Sequence, residues 1–420
     1  MPDPARAFTL LFLGVLALMV FLRLWLSARQ ITHIRAHRDA VPQQFSERVS
    51  LAAHQRAADY CVARTRLARL ALAVEVAVLL CFTLGGGLQV LHDFWSARLD
   101  GPWYGVALIF SAVAISGVVD LPLSLYAQFV LEQRFGFNRM TPRLFLLDLA
   151  KQLALGALIG TPVLLAVLWL MVRMGEAWWL YVWLFWCAFN LLAVFVYPAW
   201  IAPLFNTFTS LDDAALKARI EALLSRCGFS SSGLFVMDGS KRSAHGNAYF
   251  TGFGKTKRIV FFDTLLGRLD PPEVEAVLAH ELGHFAHRHL VWRIAAIFAA
   301  TLILLYVLGC LMDAGWFYAG LGVGAEDGDA RDAAMALLLF FWLVPVFAFP
   351  ATPLLSLLSR RNEFDADRYA AAHASAADLS RALIKLYEDN AATLTPDPLY
   401  SLFYDSHPPA AQRVLRLSSL

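Results

Sequence analysis

The sequence predicts an all-α polytopic membrane protein of seven spanning helices, with two polar segments of which one adds a small β element. Three observations carry that reading. Hydrophobic residues make up 59% of the chain and charged residues only 16%, against roughly 25% charged in soluble domains. The apolar residues are gathered into runs that reach the ~20 residues a helix needs to cross a bilayer. Between the last two runs and those before them, the stretch "VLAHELGHFAHRHL" at 277–290 concentrates His280, His284, His287 and His289 around one glutamate.

The first run, 8–27 ("FTLLFLGVLALMVFLRLWLS"), has neither the charge excess nor the small-residue cleavage site of a signal peptide, so it reads as a retained helix. The other six are 67–92, 104–130, 152–173, 177–200, 290–312 and 333–358. Basic residues orient them. Arg29, Arg35, Arg38, Arg48, Arg56, Arg64 and Arg66 lie between the first two spans, and Arg134, Arg139, Arg143 and Lys151 between the third and fourth. The connection between the sixth and seventh holds Asp313, Glu326, Asp327, Asp329 and Asp332 against Arg331 alone. Because positive loops stay on the cytosolic side, the amino end is expected outside and the carboxyl end in the cytosol. Four regions follow: spans one to five with their loops (1–200), a cytosolic segment (201–289), spans six and seven (290–358) and a second cytosolic segment (359–420).

A net charge of +2 implies no particular partner, and there is no nucleic-acid signature or internal repeat. Five scattered cysteines fit neither a zinc nor a disulfide spacing, so reduced thiols are expected. The Ala-, Leu- and Arg-rich composition suggests a GC-rich bacterial genome, hence a bacterial inner membrane.

In the first cytosolic segment, Ser210 precedes an amphipathic helix that Gly228 would stop. "LFVMDGS" and "KRIVFFDTLL" read as short strands around a glycine-rich stretch. The helix after them starts clearly. Asp270 can cap it, Pro271 suits its first turn, and Glu273 stands where a capping box wants it. On it His280 and His284, four residues apart, project from one face. That spacing lets two imidazoles reach one Zn²⁺ at ~2.1 Å. Glu281 projects about 100° round the helix, so it is free to act as a general base. This is the H-E-x-x-H arrangement of zinc proteases. His287 lies ~10 Å along the axis from His280, and it and His289 are expected at the membrane surface.

A catalytic zinc site takes a third protein ligand from elsewhere. "SRRNEFDADRYA" at 359–370 offers Glu363 and Asp367 on one helical face and Asp365 on nearly the opposite one. Glu363 could complete the site, with Asp367 orienting an imidazole from behind. A solvated acidic helix start is the plainer reading of the same residues.

Together "HELGH", "SRRNEFDAD" and "DSHPPAAQRVLRL" resemble the motifs of the type I CaaX prenyl protease family. So do "EQRFGFNRMTP" (132–142), "YPAWIAPLFNTF" (197–208) and "NAYFTGFGKTKRIVFFDTLL" (247–266). The similarity runs from about residue 100 to the end; the first hundred residues match in hydropathy alone. It implies an integral-membrane zinc endopeptidase whose seven helices enclose a chamber, with the site just inside the cytosolic end. It carries over His280, His284 and Glu363 as ligands of one Zn²⁺ and Glu281 as base. Asn247, Ala248 and Tyr249 become the edge strand that pairs with extended substrate. His407 and Arg413 become a pair that lines the cleft and steadies the substrate carbonyl. On its own residue type, His407 in "SHPP" reads first as a surface loop histidine.

Glu75 and Asp120 lie inside spans, where lipid exposure would cost each ~2.5 kcal/mol or more. Helix pairing, a wet chamber and a proton or solute pathway all account for them. The last feeds a non-enzymatic alternative, a transporter with a zinc-binding cytosolic domain, which like a zinc scaffold gives no reason for a glutamate directly after His280. The expected partners are the bilayer and a peptide or protein substrate, bound by a monomer. The family cuts prenylated carboxyl-terminal tetrapeptides and, in eukaryotes, a second upstream site; since most bacteria do not prenylate proteins, quality-control cleavage of unmodified membrane-associated chains is the alternative.

Overall fold

The computed structural model describes residues 3–251, 256–324 and 330–420. Among these residues seventeen α-helices and a small four-stranded sheet arise. The first helices are α1 (Pro4–Ala36), α2 (Leu51–Phe82), α3 (Gly87–Ser96), α4 (Gly101–Tyr126), α5 (Pro142–Arg173) and α6 (Trp178–Val196). Their starts are chemically marked. Asp3, Ser50 and Thr141 each accept a backbone N–H of the first turn, with Pro4 and Pro142 at first helical positions.

Among the described residues six helices are long and apolar enough to cross a membrane. The expected seventh is the pair α2 and α3, bent by 50°. The bend falls at "GGG" (85–87), where Gly86 takes φ 76°, a left-handed conformation that costs a glycine little. The apolar run at 67–92 is therefore continuous in hydropathy but broken in backbone. In the helix from Gly175 to Phe205, only 6% of the most apolar stretch is buried by protein. Trp200 and Leu158 stand 77% and 72% exposed, an apolar surface that only lipid can cover.

The polar region follows. A short α7 (Ala202–Phe205) leads to β1 (Phe208–Ser210), α8 (Ala214–Arg226), β2 (Ser230–Met237), β3 (Ala248–Thr251), β4 (Thr256–Phe262), α9 (Asp263–Leu266) and α10 (Pro271–Ala286). Ser210 does not cap α8, contrary to expectation. It ends β1, paired opposite Phe235 of β2, and Asp213 caps the helix by accepting from Leu216 N at 2.9 Å. Sheet pairing claims the serine, and aspartate caps as well as serine does. The sheet order is β1-β2-β4-β3, with β2 and β4 parallel and the outer pairs antiparallel, so β3 is an edge.

The chain then re-enters the apolar layer as α11 (His289–Met312). A short α12 (Gly315–Ala319) is followed by α13 (Ala330–Ala348) and α14 (Thr352–His373). The helix run from Ala333 to His373 differs from the others, with 61% of its most apolar stretch buried, so α13 forms the centre of the bundle. Glu326, Asp327 and Asp329, used in the orientation argument, lie outside the described residues. Finally α15 (Ala376–Asp389), α16 (Pro398–Tyr404) and α17 (Ala410–Leu417) return to the polar region. One apolar core joins both polar segments: Ile220, Leu223, Ile259, Phe261, Leu278 and Leu282 pack with Ala370, Leu379 and Leu417. Each large side chain so buried contributes ~1.5–3 kcal/mol, which holds α10 against α14.

Glu75 pairs with Arg23 of α1 at 3.0 Å. Both, with Asp120, line a cavity of about 550 Å³ between α1, α2, α4 and α13. Helix pairing thus accounts for Glu75, and the cavity receives both carboxylates. All five cysteines are free, as expected.

Candidate active site

Helix α10 begins with the expected capping box: Asp270 N donates to Glu273 Oε2 at 2.9 Å, and the Asp270 side chain accepts at the third position. A start so fixed sets the phase of the helix, and the phase directs His280 and His284 onto α14. Their Nε2 atoms stand 3.5 Å from Oε2 and 3.4 Å from Oε1 of Glu363. One ligand atom from each of His280, His284 and Glu363 lies within 4.8 Å of the others.

That set fits zinc. Ligand atoms ~2.0–2.2 Å from one tetrahedral centre stand roughly 3.3–3.5 Å apart, the spacing observed from Glu363 to both imidazoles. Glu363 Oε2 is buried and has no hydrogen-bond partner, a costly state for a carboxylate oxygen unless something else meets it. Two imidazoles and one carboxylate also match the donor set of catalytic zinc. Asp365, on the other side of α14, is tied to Arg368 instead.

Behind the triad runs a chain of charge. His280 Nδ1 lies 2.9 Å from Asp367 Oδ1. Arg413, on α17, donates from Nε and Nη2 to the same carboxylate at 2.9 and 2.6 Å. The Nδ1 proton of His280 is thus directed to Asp367, which leaves the Nε2 lone pair for a metal. Burial alone would depress the pKa of His280, but Asp367 and Glu363 outweigh it and raise it. Arg413 is buried, with Nε and Nη2 on Asp367 and Nη1 3.5 Å from Glu363 Oε2, whereas His407 is 61% exposed in its side chain with Nε2 3.4 Å from Glu363 Oε1.

A cavity of about 130 Å³ opens beside the triad, lined by Asn247, Ala248, His280, Glu281, Glu363 and His407 among others. Half-buried Glu281 faces this space while standing outside the ligand set. The edge strand β3 meets the same cavity through Asn247 and Ala248; Tyr249, one step along the pleat, packs edge-on against Phe262 instead. The loop before β3 is held by "EQRFGFNRMTP". Arg139 N donates to Arg242 O, Ala244 N donates to Phe137 O, and Phe137 stacks on His245 at 4.6 Å. Arg242 also grips Asp148 of α5 at 2.8 and 3.0 Å, which anchors the strand to the membrane helices.

Four contributors escaped the sequence reading. His289 is not merely a surface residue: its Nδ1 is 3.0 Å from Nδ1 of His284. Arg288, at φ 56°, makes the left-handed step between α10 and α11 that precedes it. Gly283 lets α14 approach α10, and a glycine inside a helix is itself a signal of close packing. Arg360 donates to Ser401 O and Oγ at 2.6 and 2.9 Å, fixing the segment that leads to His407.

Residues 210–420 match the family described as "Peptidase family M48". Residues 30–207 match "CAAX prenyl protease N-terminal, five membrane helices". The chain belongs to the CAAX prenyl protease 1 group of peptidase family M48. It is 38% identical to CAAX prenyl protease 1 of Saccharomyces cerevisiae over 72% of this chain and 70% of that one. Identity to the CAAX prenyl protease 1 homolog of Arabidopsis thaliana is 37%, over 71% and 70%. The crystal structure of S. mikatae Ste24p superposes with a TM-score of 0.91 at 30% identity, covering 98% of this chain and 99% of that chain. The M48 chain is thus a multi-pass membrane zinc metalloprotease with a His280, His284, Glu363 site. The transporter alternative falls with that assignment. These relatives are eukaryotic and lend no support to a bacterial membrane.

Proposed function

We propose that this M48 protease cuts near the carboxyl terminus of prenylated proteins, as the names of its relatives suggest. In this reading it acts as a monomer with one zinc ion per chain. Segments 201–289 and 359–420 form the catalytic unit on the cytosolic face, carried on the spans of 1–200 and 290–358. The arginine asymmetry supports that orientation, and composition alone supports a bacterial inner membrane.

The observation that carries the mechanism is the cavity where Glu281 meets Asn247 and Ala248 beside Glu363. A substrate strand adds to the free edge of β3 at Asn247, Ala248 and Tyr249 through main-chain hydrogen bonds, which read conformation more than side chains. His280, His284 and Glu363 would hold zinc, which when bound would supply Lewis acidity to the carbonyl and to water. Glu281 takes the proton of the attacking water and returns it to the leaving amine. His407 and Arg413 line the cleft together. His407 is the one free to meet the carbonyl oxygen as charge builds, while Arg413 holds Asp367 and through it His280.

The 550 Å³ cavity, with Met19, Val76, Leu79, Phe341 and Trp342 in its walls, suits an apolar tail. Phe403 and Tyr404 of its lining lead within the chain to His407. Each buried methylene is worth ~0.8 kcal/mol, so a prenyl group would supply much of the binding energy. Cleavage of a synthetic carboxyl-terminal peptide should rise at least ~10-fold when its cysteine carries a farnesyl group, mainly through lower KM. Equal cleavage of the unmodified peptide would remove prenyl recognition and favour quality-control cleavage of unmodified chains.

A further inference from the structure

A third cavity, of about 420 Å³, lies on the face where the amino-terminal helices leave the apolar layer. Four guanidinium groups line it: Arg35 and Arg38 at the end of α1, Arg66 on α2, and Arg134 in the loop after α4. One carboxylate, Asp59, is among them. Arg38 already holds it through Nε and Nη2 at 2.9 Å each. Among the described residues, Arg35 and Arg66 have no carboxylate partner. Orientation by positive charge asks only that arginines stay on one side of the bilayer. It does not ask that three separate segments bring them to one hollow, where their mutual repulsion is unfavourable unless an anion joins them.

The hollow is built before any ligand arrives. Phe135 forms part of its wall and is fixed by Tyr60, ring centroids 5.0 Å apart, and by the guanidinium of Arg56 on its carbonyl oxygen. Depth points to the ligand. Arg66 immediately precedes the apolar run of α2, while Arg35 lies about 12 Å further along α1 than Ser27, where the first run ends. The cavity therefore covers the headgroup layer, roughly 5–8 Å thick on each side. Ile34, Ala58 and Val62 give its wall an apolar component. Guanidinium forks match phosphate oxygens in geometry and charge.

We infer that this cavity binds the phosphate of an anionic phospholipid headgroup. The site is separate from the zinc centre and uses none of its residues. The test is native mass spectrometry of the whole, delipidated protein in detergent, titrated with phosphatidylglycerol, phosphatidylcholine or inorganic phosphate. The parent should retain phosphatidylglycerol in preference to phosphatidylcholine. Arg35→Ala with Arg66→Ala should weaken that retention about tenfold or more, the order expected for two arginines at a charged surface. Arg48→Ala with Arg143→Ala, removing the same charge from exposed positions outside the hollow, should leave it unchanged. Equal weakening in both double variants would mean diffuse attraction and overturn the site. So would equal retention of the two lipids. Inorganic phosphate bound as tightly as phosphatidylglycerol would overturn the lipid as its source.

Discussion

Gly283 and Ala366 touch so closely that a Cβ on the glycine would stand 2.9 Å from the Ala366 Cα and 3.2 Å from its carbonyl oxygen. Both are backbone atoms, so the helix and not a side chain would have to yield. In an isolated helix Gly→Ala is favourable by ~1 kcal/mol. Here Gly283→Ala should instead push α14 away from α10 and carry Glu363 with it. Zinc affinity, measured by competition with a chelator, should fall at least ~10-fold. Gly156→Ala, on a helix face with nothing within 4 Å, should leave it unchanged. An unaltered affinity in Gly283→Ala would mean that this contact does not set the position of Glu363.

Glu281 faces the cavity but stands outside the ligand triad. Glu281→Gln should keep about one zinc per chain while proteolysis falls by several orders of magnitude, as loss of a water-activating base requires. Loss of metal from that variant would make Glu281 a ligand and end its role as base.

The three acidic residues Glu363, Asp365 and Asp367 divide by position. Glu363→Ala should strip or greatly weaken zinc. Asp367→Asn should weaken it ~10–100-fold, because His280 loses the carboxylate that orients it. Asp365→Ala, whose side chain pairs with Arg368, should leave zinc binding unchanged. Atomic absorption on the purified variants reads all three, and parental zinc in Glu363→Ala would refute the triad.

His284 leans on His289 as His280 leans on Asp367. His289→Ala should lower zinc affinity by about tenfold, and His287→Ala, an exposed neighbour, should not. Identical titrations for the two variants would reduce His289 to a packing residue.

Reporter fusions should place 28–66 and 359–420 in the cytosol and 313–332 outside. A reporter at either basic segment reading out on the far side would overturn the orientation and with it the compartment of the site.

Whatever depends on neighbours in the chain was legible in the sequence. Apolar runs of sufficient length specify spans, because only a helix satisfies its backbone within lipid. Asp270, Pro271 and Glu273 start α10, and the turn of an α-helix then sets His280 and His284 on one face. Glu363 and Asp367 could be named as candidates for the same reason, from their spacing on one helix. What joins distant segments was decided by the tertiary structure. The spacing of Glu363 and Asp367 is equally that of a solvated helix, and they reach the two imidazoles only because Gly283 lets α14 close on α10. Ser210 and Asp213 are both good caps, and pairing of β1 with β2 chose between them. His289 met His284 through the left-handed step at Arg288, and the second span broke at Gly86 although its hydropathy ran on. Periodicity fixes which side of an element a residue occupies, but what stands opposite depends on packing between segments that local sequence does not encode.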